Sequence, residues 1–130
     1  GVGVSDVDND GDPDVFAHTL FVNSGIAKKG HFVEVRVVGN VSANRAAIGA
    51  TVRVAAGGVS RLRQVQGGTG KGGQDSMYLH YGIGAATAVD TIVVKFPGGV
   101  EKAFAGPFAA DQRIWVYEDG SVGYGWAPPK

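Results

Sequence analysis

The sequence contains no cysteine, no surplus charge of either sign and no long apolar run, and each absence excludes a class of protein. Without cysteine, the chain can form neither disulfides nor thiolate metal sites. The 12 basic and 12 acidic side chains balance, so no net field favours nucleic acid or an anionic membrane. No apolar stretch approaches the roughly 20 residues that cross a bilayer as a helix. We therefore expect neither a nucleic-acid partner nor a membrane span.

Glycine is abundant instead, with 22 residues spread between short runs of β-forming residues. In one run, Val33, Val35 and Val37 alternate with Glu34 and Arg36, which is typical of an antiparallel sheet with one buried face. No window of a dozen residues keeps a helical period. The pattern predicts an all-β fold, an antiparallel β-sandwich or barrel-like domain. The predicted strands span residues 15–22, 32–38, 51–55, 91–96 and 113–118.

The most specific motif lies near the start of the sequence, where residues 6–14 read D-V-D-N-D-G-D-P-D. This run matches D-x-D-x-D-G-x-x-D, in which alternate residues of a tightly wound loop deliver oxygen ligands to one hard cation. Gly11 allows the sharp turn. Repulsion among the carboxylates favours an ion over an empty ordered loop, and the alternative is a solvated acidic turn. The predicted Ca²⁺ ligands are the side chains of Asp6, Asp8, Asp10 and Asp14 and the backbone carbonyl of Asp12.

This loop differs from an EF-hand, because no amphipathic helix follows it and Ala17 stands where an EF-hand has a bidentate Glu. Residues 3–15, G-V-S-D-V-D-N-D-G-D-P-D-V, resemble one FG-GAP or VCBS repeat, the calcium-binding blade segment of integrin-type β-propellers. A single partial blade cannot bury its own faces. The resemblance leaves three arrangements open: upstream blades outside this chain, packing on the following domain, or strand addition by a neighbouring subunit.

A series of landmarks follows in order along the rest of the chain. They are H-F at 31–32, S-A-N-R at 42–45, I-G-A at 48–50, R-Q-V at 63–65, G-G at 67–68, Gln74, H-Y-G-I-G at 80–84, V-D at 89–90 and F-P-G-G at 96–99. From His31 onward the sequence is similar to the ASPIC/UnbV domain of the cartilage acidic protein-like family. The resemblance implies a β-rich extracellular module for adhesion or binding, without an active site. It divides the chain into an FG-GAP/VCBS-like segment 1–26, an ASPIC/UnbV-like β domain 27–122 and an aromatic, proline-rich tail 123–130.

Two smaller groups of residues carry further predictions. Asn44 and Arg45 are expected to form a buried polar network with His80 beneath the glycine turns. Tyr124 and Trp126 are expected at a partner interface, because aromatic side chains dominate such contacts and a proline-ended tail buries Trp126 poorly. No G-x-S-x-G elbow or other arrangement specifies a catalytic triad.

Together these features predict a secreted or cell-surface module that binds calcium and serves adhesion or self-assembly, with calcium stabilising an N-terminal junction. The expected partners are other protein domains or copies of the same chain, in a homo-oligomer or filament. The alternative is a carbohydrate-binding or accessory domain of a larger extracellular protein, with a glycan as ligand. Catalysis is not expected.

Overall fold

Short strands separated by glycine turns make up the described part of the chain, which in this computed structural model comprises residues 1–25 and 30–127. Within these residues there is no helix that could span a membrane. The strands are β1 (Gly3–Ser5), β2 (Asp14–Ala17), β3 (Thr19–Phe21), β4 (His31–Val38), β5 (Thr51–Ala56), β6 (Val59–Gln64), β7 (Tyr78–Gly84), β8 (Ala88–Lys95), β9 (Glu101–Ala109), β10 (Gln112–Tyr117) and β11 (Val122–Tyr124).

The strands form three sheets. The N-terminal sheet has the order β1-β2-β3, the front sheet β11-β10-β4-β7 and the back sheet β6-β5-β8-β9. Neighbouring strands are antiparallel, except β4 and β10, which run parallel. In the described part of the chain neither large sheet closes into a barrel, and the two enclose one hydrophobic core. The predicted all-β fold is confirmed as a β-sandwich.

The core lies between the front and back sheets. Val33, Val35 and Val37 of β4 are fully buried, and they meet Ile92 and Val94 of β8, which are equally buried. Fully burying an aliphatic side chain of this kind contributes roughly 1.5–3 kcal/mol. The inward faces that the alternating sequence predicts for these strands are confirmed.

Residues 15–22, predicted as one strand, form a hairpin instead. β2 and β3 pair antiparallel, with Phe16 opposite Leu20 and Ala17 opposite Thr19. His18, between them, has a φ of 63°, a left-handed conformation that helps to reverse the chain. The turn contains neither glycine nor proline, so nothing in the run marks the interruption.

The outer face of the front sheet is covered, although its polar pattern predicts a solvated face. Glu34 points away from the core and is only 2% exposed, and Arg113 on β10 is 5% exposed. The segment between β1 and β2 crosses this face, and the residues after β11 lie beside it. The front sheet is therefore buried on both sides where the candidate site lies.

Of the two predicted domain boundaries, one lies outside the described residues and the other falls within a strand. The boundary between residues 26 and 27 lies outside the described residues, as do residues 128–130 of the tail. The boundary after residue 122 falls inside β11, which pairs with β10 in the front sheet. The predicted tail therefore begins as an edge strand of the sandwich.

Candidate metal centre

The acidic loop, residues 6–14, connects β1 to β2. Because these strands pair with Ser5 opposite Asp14, the two ends of the loop lie together. Between them the chain turns sharply, and Asn9 and Gly11 have φ values of 60° and 93°. Glycine adopts such values freely, and asparagine does so more readily than most residues. The glycine of the motif therefore serves the turn that the sequence predicts.

Backbone amides hold the carboxylates at the two ends of the acidic loop. Asp6 Oδ2 accepts a hydrogen bond from the Gly11 amide at 2.8 Å, and Asp6 Oδ1 accepts one from the Asp10 amide at 3.1 Å. Asp14 Oδ2 accepts a hydrogen bond from the Val7 amide at 2.8 Å. Asp6 and Asp14 are both buried, so these two carboxylates are fixed in position.

Three of the five predicted ligands come together. Carboxylate oxygens of Asp6, Asp8 and Asp14 lie within 4.8 Å of one another. Calcium holds oxygen ligands at about 2.3–2.6 Å, so two ligands on opposite sides of one ion lie about 5 Å apart. The spacing and the all-oxygen donor set therefore fit a single ion of this size.

The side chains of Asp10 and Asp12, the residues of the other two predicted ligands, have their own surroundings in the loop. Asp10 Oδ1 accepts a hydrogen bond from the Asp12 amide at 2.9 Å. Asp12 enters the prediction through its backbone carbonyl, and its side-chain Oδ2 is buried without a hydrogen-bond partner. This oxygen lies against Gly25, where an added Cβ would approach it to 2.5 Å. A side chain at position 25 would therefore displace the Asp12 carboxylate from this position.

One carboxylate of the acidic loop, that of Asp8, has a pKa that departs from its ordinary value. Desolvation, followed by repulsion from Asp10, Asp14 and Asp6, raises the pKa of Asp8 above its ordinary value of 3.8, although a hydrogen bond from the Asp10 amide opposes the shift. A bound divalent cation would replace this repulsion by attraction. This is the electrostatic reason that such a loop favours an ion.

The acidic loop packs on the outer face of the front sheet through Gly11. The Gly11 carbonyl accepts a hydrogen bond from His80 Nε2 at 2.7 Å. A Cβ at position 11 would lie 2.1 Å from Phe32 Cε1, so only glycine lets the loop approach that ring. His80 stacks on Phe32 with ring centroids 5.4 Å apart. These two rings form the surface on which the loop rests.

Of the three residues in the predicted polar network, His80 and Asn44 have separate hydrogen-bond partners in the described structure. Asn44 Nδ2 donates to the Ile48 carbonyl within its own turn, and Arg45 is exposed. The register of β4 and β7 places His80 opposite Glu34, whereas Asn44 belongs to the loop that follows the far end of β4. Sheet pairing thus gives His80 to the acidic loop.

A buried ion pair supports both the acidic loop and the end of the chain. Arg113 Nε and Nη2 each lie 2.7 Å from Glu34 Oε2. Arg113 Nη2 also donates to Asn9 Oδ1 at 3.3 Å, and Nη1 donates to the Trp126 carbonyl at 2.6 Å. The guanidinium carbon lies 3.5 Å from the Tyr78 ring centroid. Burial raises the pKa of Glu34, although the hydrogen bond and charge of Arg113 act to lower it.

Sequence reasoning gave no role in the site to Glu34, Arg113 or Phe32. Glu34 and Arg113 are 79 positions apart and meet only because β4 and β10 pair in parallel, with these two residues opposite each other. The available signal is weak: each is a charged residue within a predicted strand of apolar alternation. That pattern is also typical of a solvated sheet face.

The two aromatic residues predicted at a partner interface differ in their surroundings. Trp126 is half-buried, with its ring 6.2 Å from that of Phe32 and 5.1 Å from the Arg113 guanidinium. Tyr124 is 53% exposed, and its ring lies 6.3 Å from that of Phe108. Trp126 therefore packs partly against Phe32 and Arg113 of its own chain. Tyr124 is open to a partner.

The N-terminal sheet exposes apolar side chains on both faces. Val15 and Phe21 are opposite each other on one face, and Phe16 and Leu20 on the other. All four are exposed, Phe21 most of all at 60%. An element buried by neighbours on two sides has this composition, whereas a sheet with one solvated face does not.

One edge of the N-terminal sheet is attached to the sandwich and the other is open. The Val4 amide donates to Asp75 Oδ1, and the Ser76 amide donates to the Val4 carbonyl, both at 2.9 Å. β1 is thereby fixed to the loop before β7. Among the described residues, β3 pairs with β2 alone, and an unpaired edge is a template for an additional strand.

A cavity of about 320 Å³ lies between the N-terminal segment, the front sheet and β6 at the edge of the back sheet. Asp6, Glu34, Asp75 and Arg63 line it together with apolar side chains such as Leu62. The mixture of charged, polar and apolar groups suits a small polar ligand.

Comparison with known families identifies most of the sandwich. The family model described as ASPIC and UnbV matches residues 40–122, well over half of the chain. The match begins after β4 and ends at the first residue of β11, so the acidic loop and the N-terminal sheet lie outside it. No curated protein matches the sequence.

Proposed function

The chain belongs to the ASPIC and UnbV family, and from that premise we propose that it is a calcium-binding structural module, secreted or at the cell surface, for adhesion or assembly. One observation carries the proposal: the carboxylates of the acidic loop converge while the loop itself packs on the sandwich. In this arrangement the ion orders a segment that joins two parts of a structure. The role proposed for calcium is structural rather than catalytic.

Calcium is the proposed ion for two reasons: the donor atoms are all oxygens, and calcium tolerates variable coordination distances. Asp6, Asp8 and Asp14 offer carboxylate oxygens alone, without nitrogen or sulfur. Hard oxygen donors suit calcium and magnesium, whereas zinc prefers nitrogen and sulfur ligands. Magnesium requires near-octahedral geometry at about 2.0–2.1 Å and keeps several waters. A wound loop that supplies successive carboxylates matches the longer and more variable distances of calcium.

The proposed junction is the N-terminal sheet. We assign the first segment to an FG-GAP or VCBS repeat, because its apolar residues on both faces match a blade that packs between neighbours. The same surfaces suit another β-structured domain or a second copy of this chain that adds a strand beside β3. Homo-oligomers or filaments are the proposed products of such additions.

Carbohydrate binding is the alternative proposal and has less support. Trp126, which is expected at a partner interface and could in principle stack on a sugar, packs on Phe32 and Arg113 within the chain. The cavity beside Glu34 remains its best location, but the Tyr78 ring next to it is already covered by the Arg113 guanidinium. A sugar ring usually requires a free aromatic face in addition to polar groups.

Calorimetric titration and thermal unfolding with calcium test the proposal. At about 10 mM calcium, roughly 100 times a dissociation constant near 10⁻⁴ M, binding to the folded state adds about 2.7 kcal/mol of stability. Asp8→Asn should abolish both the binding heat and this stabilisation. Asp90→Asn, at an exposed acid outside the acidic loop, should change neither.

The control for general charge effects is magnesium at the same ionic strength, which should stabilise the wild type much less. If a chelator leaves the melting temperature unchanged and calcium gives no binding heat, the acidic loop does not hold calcium and the proposal fails.

A further inference from the structure

The two ends of the described chain meet on the outer face of the front sheet. We propose that the acidic loop and the C-terminal segment, residues 123–127, form one cooperative unit through Arg113, so that calcium in the loop holds Trp126 in place. The part of this inference that concerns calcium rests on the proposed function. The coupling between the two segments does not, because it is made by contacts of the chain itself.

Arg113 provides the direct link. Its guanidinium forms an ion pair with the buried Glu34, and its remaining N–H groups donate hydrogen bonds to the two segments. Nη2 donates to Asn9 Oδ1 in the acidic loop, and Nη1 donates to the carbonyl of Trp126. Arginine presents its donors in a rigid planar fork. A displacement of Asn9 therefore reorients the Arg113 guanidinium, and this weakens its hydrogen bond to the Trp126 carbonyl.

Phe32 provides a second link that is apolar. Gly11 approaches one edge of its ring too closely for any Cβ, while His80 stacks on it at 5.4 Å and Trp126 packs against it at 6.2 Å. The acidic loop and Trp126 thus share both a hydrogen-bonding partner and an aromatic surface. Groups that share partners are coupled energetically.

The position of Asn9 connects this unit to the ion. Asn9 lies between Asp8 and Asp10 in the sequence and has a left-handed φ of 60°. Calcium that draws the neighbouring carboxylates together would therefore fix the Asn9 side chain, and with it the outer face of Arg113. By thermodynamic reciprocity, removing Trp126 must weaken calcium binding by the same factor by which calcium stabilises Trp126.

Trp126 is the part of the C-terminal segment that can respond. Residues up to Gly125 are held independently, because β11 pairs with β10 and Trp115 Nε1 donates to the Gly125 carbonyl at 2.8 Å. Gly125 has a φ of 114°, where the chain turns toward the acidic loop. Beyond it, Trp126 contacts Arg113 and Phe32. Its availability to a partner would then depend on whether the loop is ordered.

Fluorine NMR of the full chain labelled with 5-fluorotryptophan measures the coupling. The chain has two tryptophans, and Trp126→Ala assigns their signals. Calcium should shift or sharpen the Trp126 signal and leave that of Trp115 nearly unchanged. Asn9→Gly keeps a left-handed backbone but removes the acceptor for Arg113, and it should reduce the Trp126 response while calcium still binds.

The reciprocal arm is calorimetry. Trp126→Ala should weaken calcium affinity by about fivefold or more, the lower end of typical allosteric couplings. Tyr124→Ala, at an exposed neighbour, should leave the affinity unchanged. If Trp126→Ala binds calcium as tightly as the wild type, the coupling is overturned even though the calcium site stands.

Hydrogen exchange in metal-free protein separates this inference from the proposed function. Trp126→Ala should speed exchange at the Asp10 and Gly11 amides, which donate to Asp6, relative to Tyr124→Ala. If the wild type binds no calcium but Trp126→Ala still exchanges faster than Tyr124→Ala at these amides, the proposed function is refuted and the coupled unit is supported. Equal exchange in the two variants refutes the coupled unit whether or not calcium binds.

Discussion

Replacing Arg113 by methionine tests the organisation of the covered face of the front sheet. The substitution keeps an unbranched apolar stem and removes the guanidinium. It leaves Glu34, which is 2% exposed, without its charged partner. It also removes the hydrogen bonds to Asn9 and to the Trp126 carbonyl. The two chain ends and the buried carboxylate are therefore affected together.

The expected cost follows from the burial of Glu34. Removing one partner of a buried ion pair typically costs about 3–5 kcal/mol, because the remaining charge is uncompensated. Such a loss is a large fraction of the roughly 5–15 kcal/mol that stabilises an ordinary domain. Replacing both partners by apolar residues is often nearly neutral. Glu34→Leu combined with Arg113→Met should therefore recover at least half of the loss, with the remainder reflecting the lost contacts to the two segments.

Urea unfolding followed by circular dichroism measures these stability differences as shifts of the unfolding midpoint, provided that the slope stays constant.

The stability deficit of Arg113→Met should also depend on pH. Burial already raises the pKa of Glu34 above its ordinary value of 4.5, and loss of Arg113 should raise it further. A group with a raised folded-state pKa is relatively stabilising below its unfolded pKa and loses that contribution as pH rises. The deficit should shrink as the pH falls toward 4.5. A double variant as unstable as Arg113→Met would refute the reasoning.

Two further predictions concern a loop and an edge. Hydrogen bonds from the Ser42 amide first, and from Val41, lower the pKa of Glu118 below its ordinary value of 4.5; the resulting stability is present above that value and is lost as acid protonates the folded state. The protection of the Ser42 amide, the intrinsic exchange rate divided by the observed rate at the same pH, should therefore fall in acid in the wild type, and Glu118→Gln should remove that dependence; a protection that does not change with pH contradicts this assignment. Phe21→Ser, at a 60% exposed side chain, should reduce self-association in sedimentation velocity without lowering the melting temperature. Val59→Ser, at a comparably exposed position on β6, is the control, and equal behaviour of both variants would argue against assembly through the N-terminal sheet.

Some of the strands could be predicted from the sequence and others could not. β4 and β8 bury Val35 and Ile92 as their patterns predict. β6 was missed because most of its residues are exposed. β7 was missed because it contains glycine at positions 82 and 84, and glycine is unfavourable in strands. Such segments become strands because neighbouring strands satisfy their backbone groups.

The sequence by itself determined the acidic loop, because the spacing of its carboxylates and the turn at Gly11 are properties of nine consecutive residues. It also determined the inward faces of the regular strands, since side chains alternate with a period of two. Only the tertiary structure decided that Glu34 is buried, that Arg113 lies between Asn9 and Trp126, and that His80 contacts the loop rather than Asn44. These contacts join residues that are 13 to 104 positions apart. Sheet register and the parallel pairing of β4 with β10 create them, and neither leaves a pattern in any single stretch of the chain.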